Sequence, residues 1–166
     1  MQVKDIMQTN VDYVTPVTSV KEVAKLIFIH GINGVPVLDK KTIVGMVTER
    51  DILEHFYPTL EEYMEDPVHE ADFEKMEDKV DEILDMPAKK IMNRRITTIG
   101  PDQPILKAQS TMFVKKVGRL PVVDKNKNLI GIVTKSDIFT AIVGHHVIKR
   151  LKKHPSRLTK RLAKKL

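Results

Sequence analysis

Two aspartates carry the most telling chemistry in this chain. Asp51 and Asp137 each stand three residues after a threonine, in Thr48-Glu49-Arg50-Asp51 and Thr134-Lys135-Ser136-Asp137. A carboxylate accepts strong, charge-assisted hydrogen bonds, and it can take both adjacent hydroxyls of a ribose. The same tetrad is also a capping pattern, in which the threonine oxygen receives a backbone N–H and the acid favours the positive helix end. The two uses can coexist, and the tetrad alone does not choose between them. Arg50, Lys135 and Arg119 are the cations placed to meet phosphate oxygens, a guanidinium as a planar fork and an ammonium as a point charge. Each could equally be a solvated surface charge. Where the first tetrad carries Glu49-Arg50 the second carries Lys135-Ser136, so sites built on them should differ in affinity.

The acids recur because the chain repeats itself. Ile6-Met7 returns as Ile91-Met92, and Val35-Pro36-Val37-Leu38-Asp39 as Leu120-Pro121-Val122-Val123-Asp124, at an offset of 85. The offset becomes 86 for Ile43-Val44-Gly45-Met46-Val47-Thr48 against Leu129-Ile130-Gly131-Ile132-Val133-Thr134, which puts one extra residue in the second turn. In the first copy Ser19 and Glu22 form a capping-box signature ahead of Val20, Val23, Ala24 and Ile27 at helical spacing. In the second, Pro104 stands at an expected first helical position before Ile105, Ala108 and Met112. Each helix is followed by two short β-rich runs, 35–38 with 43–48 and 120–123 with 129–134, which should pair as hairpins. Thr48 and Thr134 then mark the change from strand to helix. A small sheet cannot bury both faces alone, so the expected architecture is α/β (α+β), with two βαββα repeats packed about a pseudo-two-fold axis. The segments are 1–57, an acidic helical insert at 58–85, 86–144 and a basic tail at 145–166.

Composition narrows the chemistry further. With no cysteine among 166 residues, disulfides, thiolate metal sites and cysteine nucleophiles are excluded. The six histidines, His30, His55, His69, His145, His146 and His154, show no clear metal-ligand spacing, and neither a Gly-x-Ser-x-Gly elbow nor a Gly-rich loop ending in Gly-Lys-Ser/Thr occurs. A non-enzymatic protein without catalytic cofactor is expected. No apolar run approaches a membrane span and the first residues do not form a signal peptide, which points to a cytoplasmic, not transmembrane, chain.

The net charge of +6 conceals opposed segments: residues 145–166 hold nine Lys or Arg and no acid, whereas 54–85 hold thirteen acids and two lysines. Phe73, Met76, Val80, Ile83 and Leu84 have helical spacing, so a helix is expected to lay one face on the core or on a dimer partner. Leu158, Leu162 and Leu166 recur among cations as in a basic amphipathic helix, which could meet an anionic membrane, nucleic acid or an acidic protein surface through 147–166. It could also fold back on the insert.

Two ordered copies of a Pro-Val-containing strand and a closing Gly-apolar-apolar-Thr-x-x-Asp resemble the cystathionine-β-synthase (CBS) repeat, and the tandem resembles a Bateman module. The resemblance implies regulatory binding of an adenine nucleotide (AMP, ADP, ATP) or S-adenosylmethionine in clefts between the repeats, commonly in a homodimer. By that resemblance Asp51 and Asp137 hold the ribose, while the segments at 13–16 and 98–101, with Thr15, Pro16, Ile99, Gly100 and Pro101, read the base through their backbone. Asn33, Gly34, Val35 and Pro36, with Gly118, Arg119, Leu120 and Pro121, line the opposite wall, an apolar residue sandwiching the base. Turns before a helix or a strand are the plainer reading of these same stretches. The expected function is a sensor that shifts repeat orientation on binding and signals to a partner enzyme or transporter. The alternative is a nucleic-acid-binding or scaffolding dimer acting through the basic tail.

Overall fold

Ser19 starts the first helix by accepting the N–H of Glu22 at 3.3 Å. The Glu22 carboxylate does not return to close the expected box; it pairs with Lys25 at 2.7 Å, so only half of that motif forms. A computed structural model describes residues 1–57, 79–144 and 147 of the chain. In it α1 (Val20–His30) buries Val20, Val23 and Ile27 and ends at Gly31, whose φ of 59° reverses the chain toward the sheet.

Strands β1 (Gly34–Asp39) and β2 (Thr42–Thr48) pair antiparallel, as the hairpin pattern predicts, with Gly34 opposite Thr48 and Val37 opposite Gly45. The register shifts between Val37 and Leu38, a bulge that sharpens the local twist. Next come α2 (Glu49–Glu54), α3 (Val80–Asp85) and α4 (Ala88–Ile91). Helix α3 includes the C-terminal part of the helical spacing expected in the insert and buries Ile83. The rest of that insert, 58–78, lies outside the described residues.

The second copy repeats the series with α5 (Ile105–Lys115), β3 (Arg119–Val123), β4 (Leu129–Thr134) and α6 (Lys135–Phe139), followed by a π-helical turn at Thr140–Gly144. Pro104 caps α5 in an extended conformation, one residue ahead of its expected place inside the helix. Strands β3 and β4 form their own two-stranded sheet. The short connection between them leaves only an antiparallel arrangement. The change of offset falls in the turns, as expected: residues 40–41 join β1 to β2 and 124–128 join β3 to β4.

Two compact units result, and their membership does not follow the order of the repeats. One comprises Val11–Ile96 with Asn126–Leu129, the other Met1–Asn10, Thr97–Lys125 and Ile130–Leu166. Backbone pairing explains the exchange. Asn93 trades N–H···O bonds with Met46 on β2 at 2.8 and 3.1 Å, and Gln8 trades them with Ile132 on β4 at 2.9 Å each way. In each case a methionine just before the pairing residue lies over a strand glycine. A Cβ on Gly45 would come within 2.9 Å of Met92 Cγ, and one on Gly131 within 2.8 Å of Met7 Sδ. These glycines leave room for the incoming chain.

Each unit has its own core. Val14, Val20, Val23, Ile27, Val35, Val37, Val47, Ile83, Ala88, Ile91 and Met92 fill the first. Val3, Ile99, Ala108, Met112, Leu120, Val122, Val133 and Ile138 fill the second. Among the described residues no polar side chain is buried and no helix is long and apolar enough to cross a membrane. The basic tail beyond 147, with His145 and His146, lies outside the described residues, as does His69.

Candidate functional site

Thr48 and Asp51 form a reciprocal clasp at the start of α2. The Asp51 N–H donates to Thr48 Oγ1 at 3.2 Å, the Thr48 N–H to Asp51 Oδ2 at 2.7 Å, and the Thr48 hydroxyl to the same Oδ2 at 2.6 Å. Thr134 and Asp137 repeat it at 3.2, 2.8 and 2.7 Å. The capping use of the tetrad is therefore real in both copies. It engages one carboxylate oxygen and leaves the other for something else.

That second oxygen separates the copies. Asp51 Oδ1 has no partner among the described residues, whereas Asp137 Oδ1 accepts the Gln8 side-chain amide at 3.1 Å, with Oδ2 at 3.4 Å from the same nitrogen. Asn93 occupies the repeat position of Gln8, but its Oδ1 accepts the Arg95 N–H at 2.8 Å. Both aspartates are half-buried.

Backbone bonds join each helix start to the segment ahead of the first strand. Glu49 N–H donates to Asn33 O and Lys135 N–H to Gly118 O, both at 3.1 Å. On the other edge of β1, Val14 lies parallel and exchanges bonds with Pro36 O (3.0 Å) and Leu38 N (2.8 Å); Ile99 does the same with Pro121 O and Val123 N at 3.0 Å. Thr15 and Gly100 follow directly on these pairing residues. Within the first unit the fold thus gathers Thr15, Pro16, Asn33, Gly34, Val35, Pro36, Thr48, Arg50 and Asp51 around one short sheet. Within the second it gathers Ile99, Gly100, Pro101, Gly118, Arg119, Leu120, Pro121, Thr134, Lys135 and Asp137.

Several of these residues present something other than the side chain expected of them. Val35 and Leu120, assigned to sandwich a base, are completely buried and belong to the two cores, so they can offer a ligand only main chain. Gly34 is spoken for by the protein itself, since a Cβ there would come within 2.8 Å of Val47 O and of the Thr48 methyl. Gly118 and Gly100 differ: chain neighbours aside, no atom of a described residue lies within 4 Å of a Cβ added to the first, and around the second Gln103 Cγ lies at 3.8 Å. Neither has positive φ. Protein geometry therefore does not demand glycine at 100 or 118, and open space remains beside both.

Arg50 is exposed and donates through Nε to Glu54 at 2.6 Å. The hydrogen bond to that carboxylate, and then its charge, raise the guanidinium above its already high range. Its terminal nitrogens have no partner among the described residues and remain available to an anion. Lys135 is exposed, Arg119 half-buried, and Ser136 brings no charge to the second copy. His30 pairs with Asp12, and His55 Nδ1 lies 2.8 Å from the backbone oxygen of Asp51. Among the described residues no cluster of His, Asp or Glu could hold a metal ion.

Gln8, whose amide lies against Asp137, is the contact that sequence reasoning missed. The repeated Ile-Met pair that precedes it does align it with Asn93. What the alignment hides is the exchange of segments, which brings residue 8 beside residue 137.

The repeated βαββα half-folds with a Thr–Asp clasp after each hairpin define a tandem α+β module. The chain belongs to the CBS domain family, whose model matches residues 3–57 and 88–144. Its relatives include two uncharacterized proteins of Methanocaldococcus jannaschii. MJ1426 is 31% identical over 86% of this chain and 92% of its own length. MJ1232 is 31% identical over 87% of this chain but only 40% of its own length, so the chain spans less than half of that relative. Among solved structures, CBSX2 in complex with AMP is 25% identical with a TM-score of 0.66, over 87% of this chain and 98% of that one.

Proposed function

We propose that the chain is a non-enzymatic regulatory sensor for an adenosyl ligand, its ribose held by Asp51 and, more weakly, by Asp137. The carrying observation is the half-engaged clasp: Thr48 uses Asp51 Oδ2, and Oδ1 of this half-buried carboxylate has no partner among the described residues. A charged acceptor in that position binds a hydroxyl more strongly than a neutral one would. The base lies along the backbone at 13–16 or 98–101, the second site having added room beside Gly100 and Gly118. Arg50 meets a phosphate at the first site; Lys135 and Arg119 serve the second. AMP, the ligand that CBSX2 carries, is the natural probe.

The test is calorimetric titration with AMP, ATP and S-adenosylmethionine of the wild type and of the Asp51→Asn, Asp137→Asn variant. Asparagine keeps an acceptor for the threonine N–H and removes the charge. Affinity should fall by roughly a hundredfold for a ligand that loses charge-assisted bonds. Unchanged affinity in a folded variant removes the aspartates from the mechanism. A bound ligand acts as a signal only by favouring one arrangement of the chain over another, and a partner enzyme or transporter would read that arrangement.

The same reading includes a homodimer. Phe28 and Ile29 on α1 are 81% and 73% exposed, and their repeat equivalents on α5, Phe113 and Val114, are 80% and 70% exposed. Apolar residues left at matching positions of two repeats suit a symmetric interface. Light scattering should give twice the chain mass for the wild type and one chain mass for Phe28→Asp, Phe113→Asp. A monomeric wild type sinks the dimer.

A further inference from the structure

We infer that Gln8 is an affinity-determining residue of the second site, its amide occupying the carboxylate oxygen that a ribose hydroxyl would use. The inference rests on the adenosyl-sensor reading and adds an order of filling to it. Three observations converge. Gln8 Nε2 donates to Asp137 Oδ1 at 3.1 Å, and its 3.4 Å approach to Oδ2 places it across both oxygens. The Gln8 backbone is fixed by its two bonds to Ile132, so the exposed side chain can swing away without unpairing the segment. The repeat equivalent, Asn93, is one methylene shorter and accepts the Arg95 N–H instead, and Asp51 Oδ1 has no partner among the described residues. A neutral amide on an ionised carboxylate is a good hydrogen bond, and a diol must displace it before binding. The first site carries no such competitor among the described residues. Ligand therefore fills the Asp51 site first and the Asp137 site at higher concentration.

The experiment is AMP calorimetry on the full chain carrying Asp51→Asn, which leaves the second site as the binding site, with and without Gln8→Asn. Asparagine reproduces Asn93, which the first unit carries at this position, and keeps the backbone pairing with Ile132. Adding Gln8→Asn should tighten AMP binding by roughly threefold to tenfold, the scale of one exposed charge-assisted hydrogen bond. Gln8→Ala in the same background should do likewise. Equal or weaker binding in both overturns the role of Gln8. Two controls tell the failures apart. If none of AMP, ATP and S-adenosylmethionine binds the wild type, the sensor reading falls and Gln8 with it. If Asp137→Asn weakens the second binding event while neither Gln8 variant changes it, the sensor stands and only Gln8's part is wrong.

Discussion

Asp51 and Asp137 make the same clasp with their threonines, at 2.7 and 2.8 Å from the backbone N–H, yet they face different surroundings. Among the described residues the first acid has an unpartnered oxygen and a neighbouring guanidinium; the second has an amide on the matching oxygen, a serine where the arginine would be, and two glycines with space beside them. Duplication explains the shared part, because the Thr–Asp pair is needed to start a helix in each copy. What lies outside the cap is not required for folding, and there the copies have diverged. Among the described residues, one fold thus presents an aspartate with one oxygen unpartnered and a second whose matching oxygen is covered by an amide.

Separating the two aspartates breaks or sharpens that contrast most directly. Asp51→Asn alone should remove the tighter AMP binding event, with an effect of roughly a hundredfold at that site. Asp137→Asn should remove only the weaker event. Equal losses from the two substitutions would mean that the open and covered oxygens are functionally alike.

Much of this architecture is legible in the sequence, for a definite reason. Apolar residues at 20, 23 and 27, and the alternation through 43–48, follow the helix and strand periods, and the turn insertion shows as a change of offset. The Thr–Asp tetrads are local, so their capping could be read as a pattern. Three features were not legible. The pairing of Gln8 with Ile132 joins residues 124 positions apart, and no local rule specifies such a contact. Whether a glycine serves packing or leaves space depends on its neighbours, so Gly34 and Gly118 look alike in sequence. Val35 and Leu120 are apolar in either role, base platform or core, and only burial tells the two apart.

The glycines give the next comparison. Gly34→Ala drives a methyl into Val47 O and the Thr48 side chain, and overpacking of that kind costs about 1–3 kcal/mol. Chain neighbours aside, Gly118→Ala meets no described residue, so stability should change by less than about 0.5 kcal/mol. If the space beside Gly118 accommodates ligand, the added methyl should weaken AMP at the second site while urea unfolding is unaltered. A stability loss at 118 equal to that at 34, or AMP binding blind to the methyl, would remove the reason for calling the second site roomier.

The smallest effect lies at the ends of α1 and α5, where the repeats solve one problem with different residues. Gly31 turns the first chain in the left-handed region at φ 59°, and Lys116 does so in the second at φ 55°. The hydrogen bonds are the same: Ile32 N–H returns to Ile27 O at 3.1 Å and Val117 N–H to Met112 O at 3.0 Å. Glycine enters this region without steric cost, whereas a lysine Cβ crowds its own backbone. Chain neighbours aside, an alanine Cβ at 31 meets no described residue within 4 Å, so its penalty would come from the dihedral. Part of that penalty is offset because alanine also restricts the unfolded chain. Lys116→Gly should therefore stabilise the second repeat by about 0.5–1 kcal/mol, and Gly31→Ala should destabilise the first by a similar amount, both read from urea midpoints. Destabilisation by Lys116→Gly would show that the lysine side chain contributes an interaction larger than the strain its backbone carries.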